Sequence, residues 1–249
     1  MSIKEVEKHE VGLTLPKILA DRPLGISPQE AKVFSPTSFT MLLVGRPGSG
    51  KSSRGASLIA TRNKLYWKKF HRIHLIVPPS SRASMKLPPM RKHNRTYDDL
   101  TEETLDEIMN ETAELTDGGE DKKKFSLIYL DDFAVALKRP EINRTLQKIV
   151  FNHRHINLSL IVMCQSYRKA SPDLRKCFGY LILFPVSEME SDVIFEELIT
   201  WCNKKQWQAY CRYAFDVKRF GRHCSMIIDI NGQKIFSNRD NDYYLLSHE

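Results

Sequence analysis

Eight consecutive residues constrain this chain more than any others. Gly45-Arg46-Pro47-Gly48-Ser49-Gly50-Lys51-Ser52 satisfies G-x-x-x-x-G-K-[ST] in full. An apolar run, Phe39–Val44, precedes the pattern and reads as a buried strand, and Ser52–Thr61 follows it and reads as a helix. A strand that runs through a glycine-rich turn into a helix leaves backbone N–H groups facing one centre, where the helix dipole adds positive potential. Lys51 then reaches the β- and γ-phosphates of a nucleotide, and the Ser52 hydroxyl is placed to ligate Mg²⁺. A glycine-rich turn that matched by accident would have no reason to carry both flanks. The segment is expected to bind a nucleoside triphosphate.

Such a site needs a carboxylate at the end of another strand. Phe125–Leu130 is an apolar run ending in Asp131-Asp132. Asp131 is the expected Mg²⁺ ligand, acting through water. Asp132 is placed to orient and deprotonate an attacking water; the alternative is that it caps the following segment. A further buried run, Leu158–Cys164, ends in Gln165-Ser166. A polar amide at that point suits a group that senses the γ-phosphate or positions the water, against a glutamine that merely bonds a loop. Asn152-His153-Arg154-His155 precedes this run, and two histidines with no nearby Cys, Asp or Glu make a poor metal site. Arg154 is instead expected to act on a neighbouring subunit's γ-phosphate, as arginines in ring-shaped NTPases do. Arg144, Arg168 and Arg175 are its rivals, and a solvated or DNA-facing arginine is the alternative. Cys164 reads as a small core hydrophobe.

The rest of the chain alternates in the same way. Arg72–Val77 and Tyr180–Phe184 are further strands, with helices expected at Tyr97–Leu115, Pro140–Asn152 and Ser191–Tyr213, the last burying Trp201, Trp207 and Tyr210. Strands alternating with helices imply an α/β domain with a mostly parallel sheet flanked by helices. Asn231-Gly232 between Ser225–Ile230 and Gln233–Phe236 marks a C-terminal β-hairpin. Residues 1–38, with four prolines, read as an extended N-terminal arm with a short helix, and 39–249 as one domain. No apolar run approaches the ~20 residues of a membrane span. MSIKEVEKHE has no secretory core, and five scattered cysteines form neither a disulfide framework nor a zinc ribbon. A soluble intracellular protein is expected.

Charge is distributed unevenly. An insertion at about 96–121 holds eleven carboxylates and no Lys or Arg, ending at Asp117-Gly118-Gly119 and its neighbours. Removing those carboxylates from the net charge of +8 leaves +19. A body that basic attracts polyanions, nucleic acid first. The loop Pro78–Arg95 offers Arg82, Lys86, Arg91, Lys92 and Arg95 as phosphate contacts, or is simply solvated. The acidic helix beside it either shields that surface before DNA arrives or is a solvated face.

FTMLLVGRPGSGKSS, FSLIYLDDF, NHRHINLSLIVMCQSY and FGYLILFP together resemble the viral genome-packaging ATPases of the FtsK–HerA superfamily, the type shared by poxviruses, giant viruses, virophages and Polinton-like elements. The resemblance spans roughly Phe39 to Phe236. It implies an additional-strand P-loop core and binding of ATP with Mg²⁺ by Gly45 through Ser53. It also implies assembly with itself into a ring, a pentamer or hexamer, that drives double-stranded DNA into a preformed capsid at its portal vertex. Lys51 and Ser52 match the phosphate and metal residues, Asp131 and Asp132 the paired acids, and Gln165 the polar sensor. Many members carry Glu where Asp132 stands, and the shorter side chain puts its role as base in question. The implied location is the host cytoplasm or viral factory, with virion association as a further option. Two other readings share the P-loop: a DNA-pumping ATPase without a capsid, and a kinase acting on a nucleotide or small metabolite. A third is a scaffold that binds ATP without turnover.

Overall fold

The structure is a computed structural model, and it describes residues 21–82, 94–116, 124–133, 135–239 and 242–247. Nine strands form one sheet in the order β3-β2-β4-β5-β1-β6-β7-β8-β9. These are β1 (Thr40–Val44), β2 (Arg72–Ile76), β3 (Arg95–Tyr97), β4 (Ser126–Leu130), β5 (Leu158–Cys164), β6 (Tyr180–Leu183), β7 (Ser225–Asp229), β8 (Lys234–Arg239) and β9 (Asp242–Leu245). The first six strands are mutually parallel; β7 to β9 run antiparallel.

Every residue of β1, β4 and β5 is buried. A parallel strand covered on both faces must be apolar throughout, which is why TMLLV, SLIYL and LSLIVMC read as continuous runs rather than alternating ones. Alternation survives in which face each residue serves. Met41, Leu43, Tyr129, Ile161 and Met163 pack against α1 (Lys51–Ala60) and an aromatic cluster of Phe34, Phe39, Tyr66 and Phe70. Leu42, Val44, Ile128, Leu130 and Val162 pack on the other side. That side is covered by α3 (Glu102–Thr116), α4 (Pro140–Asn152), α6 (Glu188–Leu198) and α7 (Lys204–Ala214). Three short helices, α2 (Pro79–Arg82), α5 (Pro172–Arg175) and α8 (Val217–Phe220), lie in connections.

The register positions the site. Leu130 of β4 is opposite Val162 of β5, and Val44 of β1 is opposite Cys164. Strand β5 therefore lies between the glycine-loop strand and the acid-pair strand, and all three carboxyl ends open at one edge of the sheet.

Three expectations need correction, and a fourth is extended. The helix expected over Ser191–Tyr213 is two helices. The Asn203 side chain accepts from the Gln206 N–H, and Gln206 Oε1 accepts from the Asn203 N–H, so a new helix starts inside the periodic stretch. The helix expected from Tyr97 starts at Glu102 because Tyr97 belongs to β3, paired with Ile76. The polar stretch read as a loop contains α2 at its start and β3 at its end. The hairpin of β7 and β8 continues into a further strand, β9. The described part of the amino-terminal arm packs on the body. Leu24 N–H donates to the Pro36 carbonyl, Glu30 Oε1 accepts from Leu65 N–H, and Phe34 is buried. The short helix there is a single 3-10 turn, Glu30–Lys32. Trp207 is fully buried, while Trp201 and Tyr210 pack on the core partly exposed. Residues 1–20 and the Asp117-Gly118-Gly119 terminus lie outside the described residues. Among the described residues no helix is long and apolar enough to cross a membrane.

Candidate active site

The turn after β1 is shaped by its glycines. At Gly45 an added Cβ would sit 2.7 Å from Phe184 Cβ and 2.7 Å from Ser49 Oγ, so no side chain fits. Gly50 has φ of +99°, in the left-handed region that glycine enters without strain. Arg54 N–H then donates to Gly50 O, and α1 begins. Ser49 Oγ is buried and has no partner among the described residues, as expected of a group whose partner is a ligand.

Lys51 is buried at the base of the turn and donates from Nζ to the Arg46 carbonyl at 3.2 Å. Burial lowers its pKa, while the carboxylates of Asp131 and Asp132 oppose that shift. Its ammonium is thus held in a poorly solvated place, where an anion such as a phosphate replaces lost hydration. Ser52 Oγ donates to Asp131 Oδ2 at 2.6 Å. Burial raises the pKa of Asp131, against the Ser52 hydrogen bond and Lys51. Among the described residues no cluster of three metal-ligating side chains exists. The Ser52 hydroxyl and Asp131 carboxylate nevertheless fit Mg²⁺, which takes one or two carboxylates and fills its remaining positions with water and phosphate oxygens.

Asp132 adopts φ of +66°, so the backbone leaves the extended path of β4 here. Its Oδ1 accepts from Gln165 Nε2 at 3.1 Å, and its Oδ2 from Ser81 Oγ at 3.2 Å. The ends of β4 and β5 and the helix after β2 therefore meet at one exposed carboxylate. The Gln165 turn is fastened from below. Glu190 Oε1 accepts from Ser166 Oγ at 2.6 Å and from the Tyr167 N–H. Cys164, buried just before it, has its thiol pushed up to about 12 by burial and is inert.

The sequence reading missed two contributors. Ser81 lay in a stretch read as loop. His223 precedes β7, and its Nδ1 lies 3.0 Å from the Ser49 carbonyl oxygen. Local pattern carries no signal for either, because each contact depends on strand order.

Arg154 stands on the edge of the sheet away from its own subunit's glycine turn, so any action it has on a γ-phosphate falls on a neighbour's site. It follows α4 and precedes β5, so it sits at the amino ends of the parallel strands rather than the carboxyl ends. Nη1 pairs with Asp21 Oδ2 at 3.1 Å, and the side chain lines a cavity of about 550 Å³ with Ser38, Thr40 and Gly179. The five-residue β1 puts about 13 Å of strand between that edge and the glycine turn. Among its rivals, Arg175 is buried and makes a two-pronged pair with Glu197. Arg168 is exposed just beyond Gln165, and Arg144 is exposed one turn into α4.

The basic loop is only partly described: Lys86, Arg91 and Lys92 lie outside the described residues. Arg82 pairs with Asp98 and also donates to the Val77 carbonyl at 3.2 Å. Arg95 pairs with Glu107 at 3.0 Å and Glu111 at 2.5 Å on α3. Both described arginines that were expected to meet DNA are thus engaged by the acidic segment.

The family described as Poxvirus A32 protein matches residues 30–241. No curated protein sequence matches the chain. Among solved structures, one similar to this chain is the genome packaging NTPase B204 of Sulfolobus turreted icosahedral virus 2 in complex with ATP-gammaS. It has 17% identity and a TM-score of 0.55, over 81% of this chain and 97% of that one. B204 described as the DNA-packaging ATPase of Sulfolobus turreted icosahedral virus gives 16% identity and a TM-score of 0.51, over 85% and 99%. The second and third ATPase domains of EssC from Geobacillus thermodenitrificans give 15% identity and a TM-score of 0.51, over 83% of this chain and 39% of that one. These likenesses establish a P-loop NTPase fold.

Proposed function

The chain belongs to the Poxvirus A32 protein family, and from that premise we propose that it hydrolyses ATP to move double-stranded DNA into a preformed viral capsid. The observation that carries the reading is the convergence at one sheet edge of the glycine turn, the Ser52–Asp131 pair and the Asp132–Gln165 pair. An extra strand between the glycine-loop strand and the acid strand supports hydrolysis over transfer to a small acceptor, because its Gln165 meets the catalytic acid where a water would stand.

The backbone N–H groups of Gly48 through Ser52 and the Lys51 ammonium hold the phosphates. Ser52 and Asp131 would hold Mg²⁺, which when bound neutralises charge on the phosphate oxygens. Asp132, kept in place by Gln165 and Ser81, accepts a proton from the water that attacks the γ-phosphorus. The bond to the bridging oxygen breaks, leaving ADP and phosphate. A ring of identical subunits, five or six, would surround the DNA and dock at the capsid portal, in the host cytoplasm or viral factory. An arginine from a neighbouring subunit would complete this site, with Arg154 as the candidate and the exposed Arg144 and Arg168 as its rivals.

Phosphate release by the full chain, measured with and without double-stranded DNA, tests the reading. DNA should stimulate turnover. Turnover that ignores DNA would leave an ATPase but remove the motor.

A further inference from the structure

Among the described residues, the arginines at which the sequence reading placed the DNA are not the ones free to meet it. Arg82 and Arg95 are paired with carboxylates. The stretch from the end of α7 to β7, by contrast, carries Arg212, Lys218, Arg219 and Arg222, all exposed, and no described ion pair engages any of them. Its one acidic residue, Asp216, caps α8 by accepting from the Lys218 and Arg219 N–H groups. Arg219 is already ordered: its guanidinium lies 5.0 Å from the Tyr213 ring centroid and 5.0 Å from that of Phe220, and the two rings meet edge to face at 5.4 Å. Stacking of this kind fixes the side chain while leaving its N–H donors toward solvent, so a phosphate can be met at little cost in side-chain entropy. The segment also touches the glycine turn directly. His223 Nδ1 lies 3.0 Å from Ser49 O, and β7 runs antiparallel to β6 beside Phe184, which packs on Gly45.

We propose that the exposed segment around α8, with Lys218, Arg219 and Arg222 as its contacts, is the surface that grips the phosphate backbone of double-stranded DNA, next to the nucleotide turn through His223. This rests on the packaging reading above and adds the surface to it. Basic side chains flanked by aromatic rings, with no acidic side chain left exposed between Val217 and His223, match a polyanion rather than a second copy of a chain. Ammonium and guanidinium groups that meet phosphates carry no sequence information, as a motor that must pass every sequence requires.

The test replaces Lys218, Arg219 and Arg222 together by Gln in the full chain. Binding to mixed-sequence and homopolymeric duplexes is followed by fluorescence anisotropy across a salt series, with circular dichroism and sedimentation as checks of fold and assembly. If each side chain neutralises one phosphate, the slope of log affinity against log salt becomes shallower by about 2.7. Between about 50 and 200 mM salt, wild-type affinity then falls about 40-fold more than that of the variant. The loss should be the same on every duplex. A wild-type protein that binds duplex with a slope the variant shares overturns this inference alone. The same holds for a variant whose only defect is altered sedimentation, since the surface would then be an interface between copies. A wild-type protein that binds no duplex overturns the packaging reading, and this inference with it.

Discussion

Asp132→Asn separates chemistry from structure more cleanly than any other substitution in the site. Asp132 sits at φ of +66°, where Asp and Asn are both tolerated but alanine costs about 1–2 kcal/mol. The side chain is exposed, so exchanging carboxylate for amide should move stability by no more than about 0.5 kcal/mol. Gln165 Nε2 can still donate to the remaining Oδ1, and the Ser81 hydroxyl can rotate to accept from the new amide. What disappears is the capacity to take a proton from water. General-base catalysis contributes about 10²- to 10⁴-fold, which is about 2.7–5.4 kcal/mol of activation free energy. Single-turnover phosphate release should slow by that range, while a fluorescent ATP analogue binds as before because Lys51, Ser52 and Asp131 are untouched. Asp132→Ala should lose the same rate and also unfold earlier. Near-normal turnover by the Asp132→Asn enzyme would show that Asp132 only shapes the end of β4, and the base would have to be sought elsewhere.

Gly55→Ala should destabilise the protein although it places a better helix former in α1. The new Cβ would lie 2.1 Å from Met163 Cε and 3.0 Å from Tyr129 Oη, both side chains buried. Overpacking costs about 1–3 kcal/mol, against a helix-propensity gain of about 1, so the thermal midpoint should fall; a rise would show that Met163 moves aside freely. His74 is fully buried against Tyr97 and Glu111, with Arg72 and Arg95 close by, and burial holds its pKa at about 4. The unfolded chain therefore takes up this proton first as pH falls. Stability should decline between pH 6.5 and 4 at up to about 1.4 kcal/mol per unit. Denaturant titrations of His74→Gln across that window should lack this part of the slope, and an unchanged slope would assign it to other groups. Arg154→Ala should cost less than about 1 kcal/mol of stability, because its pair with Asp21 is solvent-exposed, and it should lose turnover that mixing with Asp132→Asn subunits restores. Two inactive variants that stay inactive when mixed, despite co-assembly, would move that role to another arginine.

Contiguous motifs with strong local physics were legible from the amino acids alone. Gly45–Ser52 specifies much of its own backbone path, since the positive φ of Gly48 and Gly50 is open to glycine without strain, whereas the lack of room at Gly45 also needs Phe184, which only the fold brings there. The strand β5 and helix α4 coincide with their expected bounds, because an unbroken apolar run and an amphipathic run ending near Asn152 leave few alternatives. Asp131, Asp132 and Gln165 could be singled out because each directly follows a buried strand, and a parallel sheet lines up such ends at one edge. The order of the strands was not written in any local pattern. That order brings Ser81 to Asp132 across 51 residues and His223 to Ser49 across 174. It also assigns Arg154 to the amino edge, although in sequence it lies only eleven residues before Gln165. Charge behaved similarly. The composition foretold a basic body with an acidic insertion, but ion pairing acts over a few ångströms, so only the folded chain decides which arginines meet carboxylates. Arg82 and Arg95 are engaged by the acidic segment, whereas Lys218, Arg219 and Arg222 face solvent.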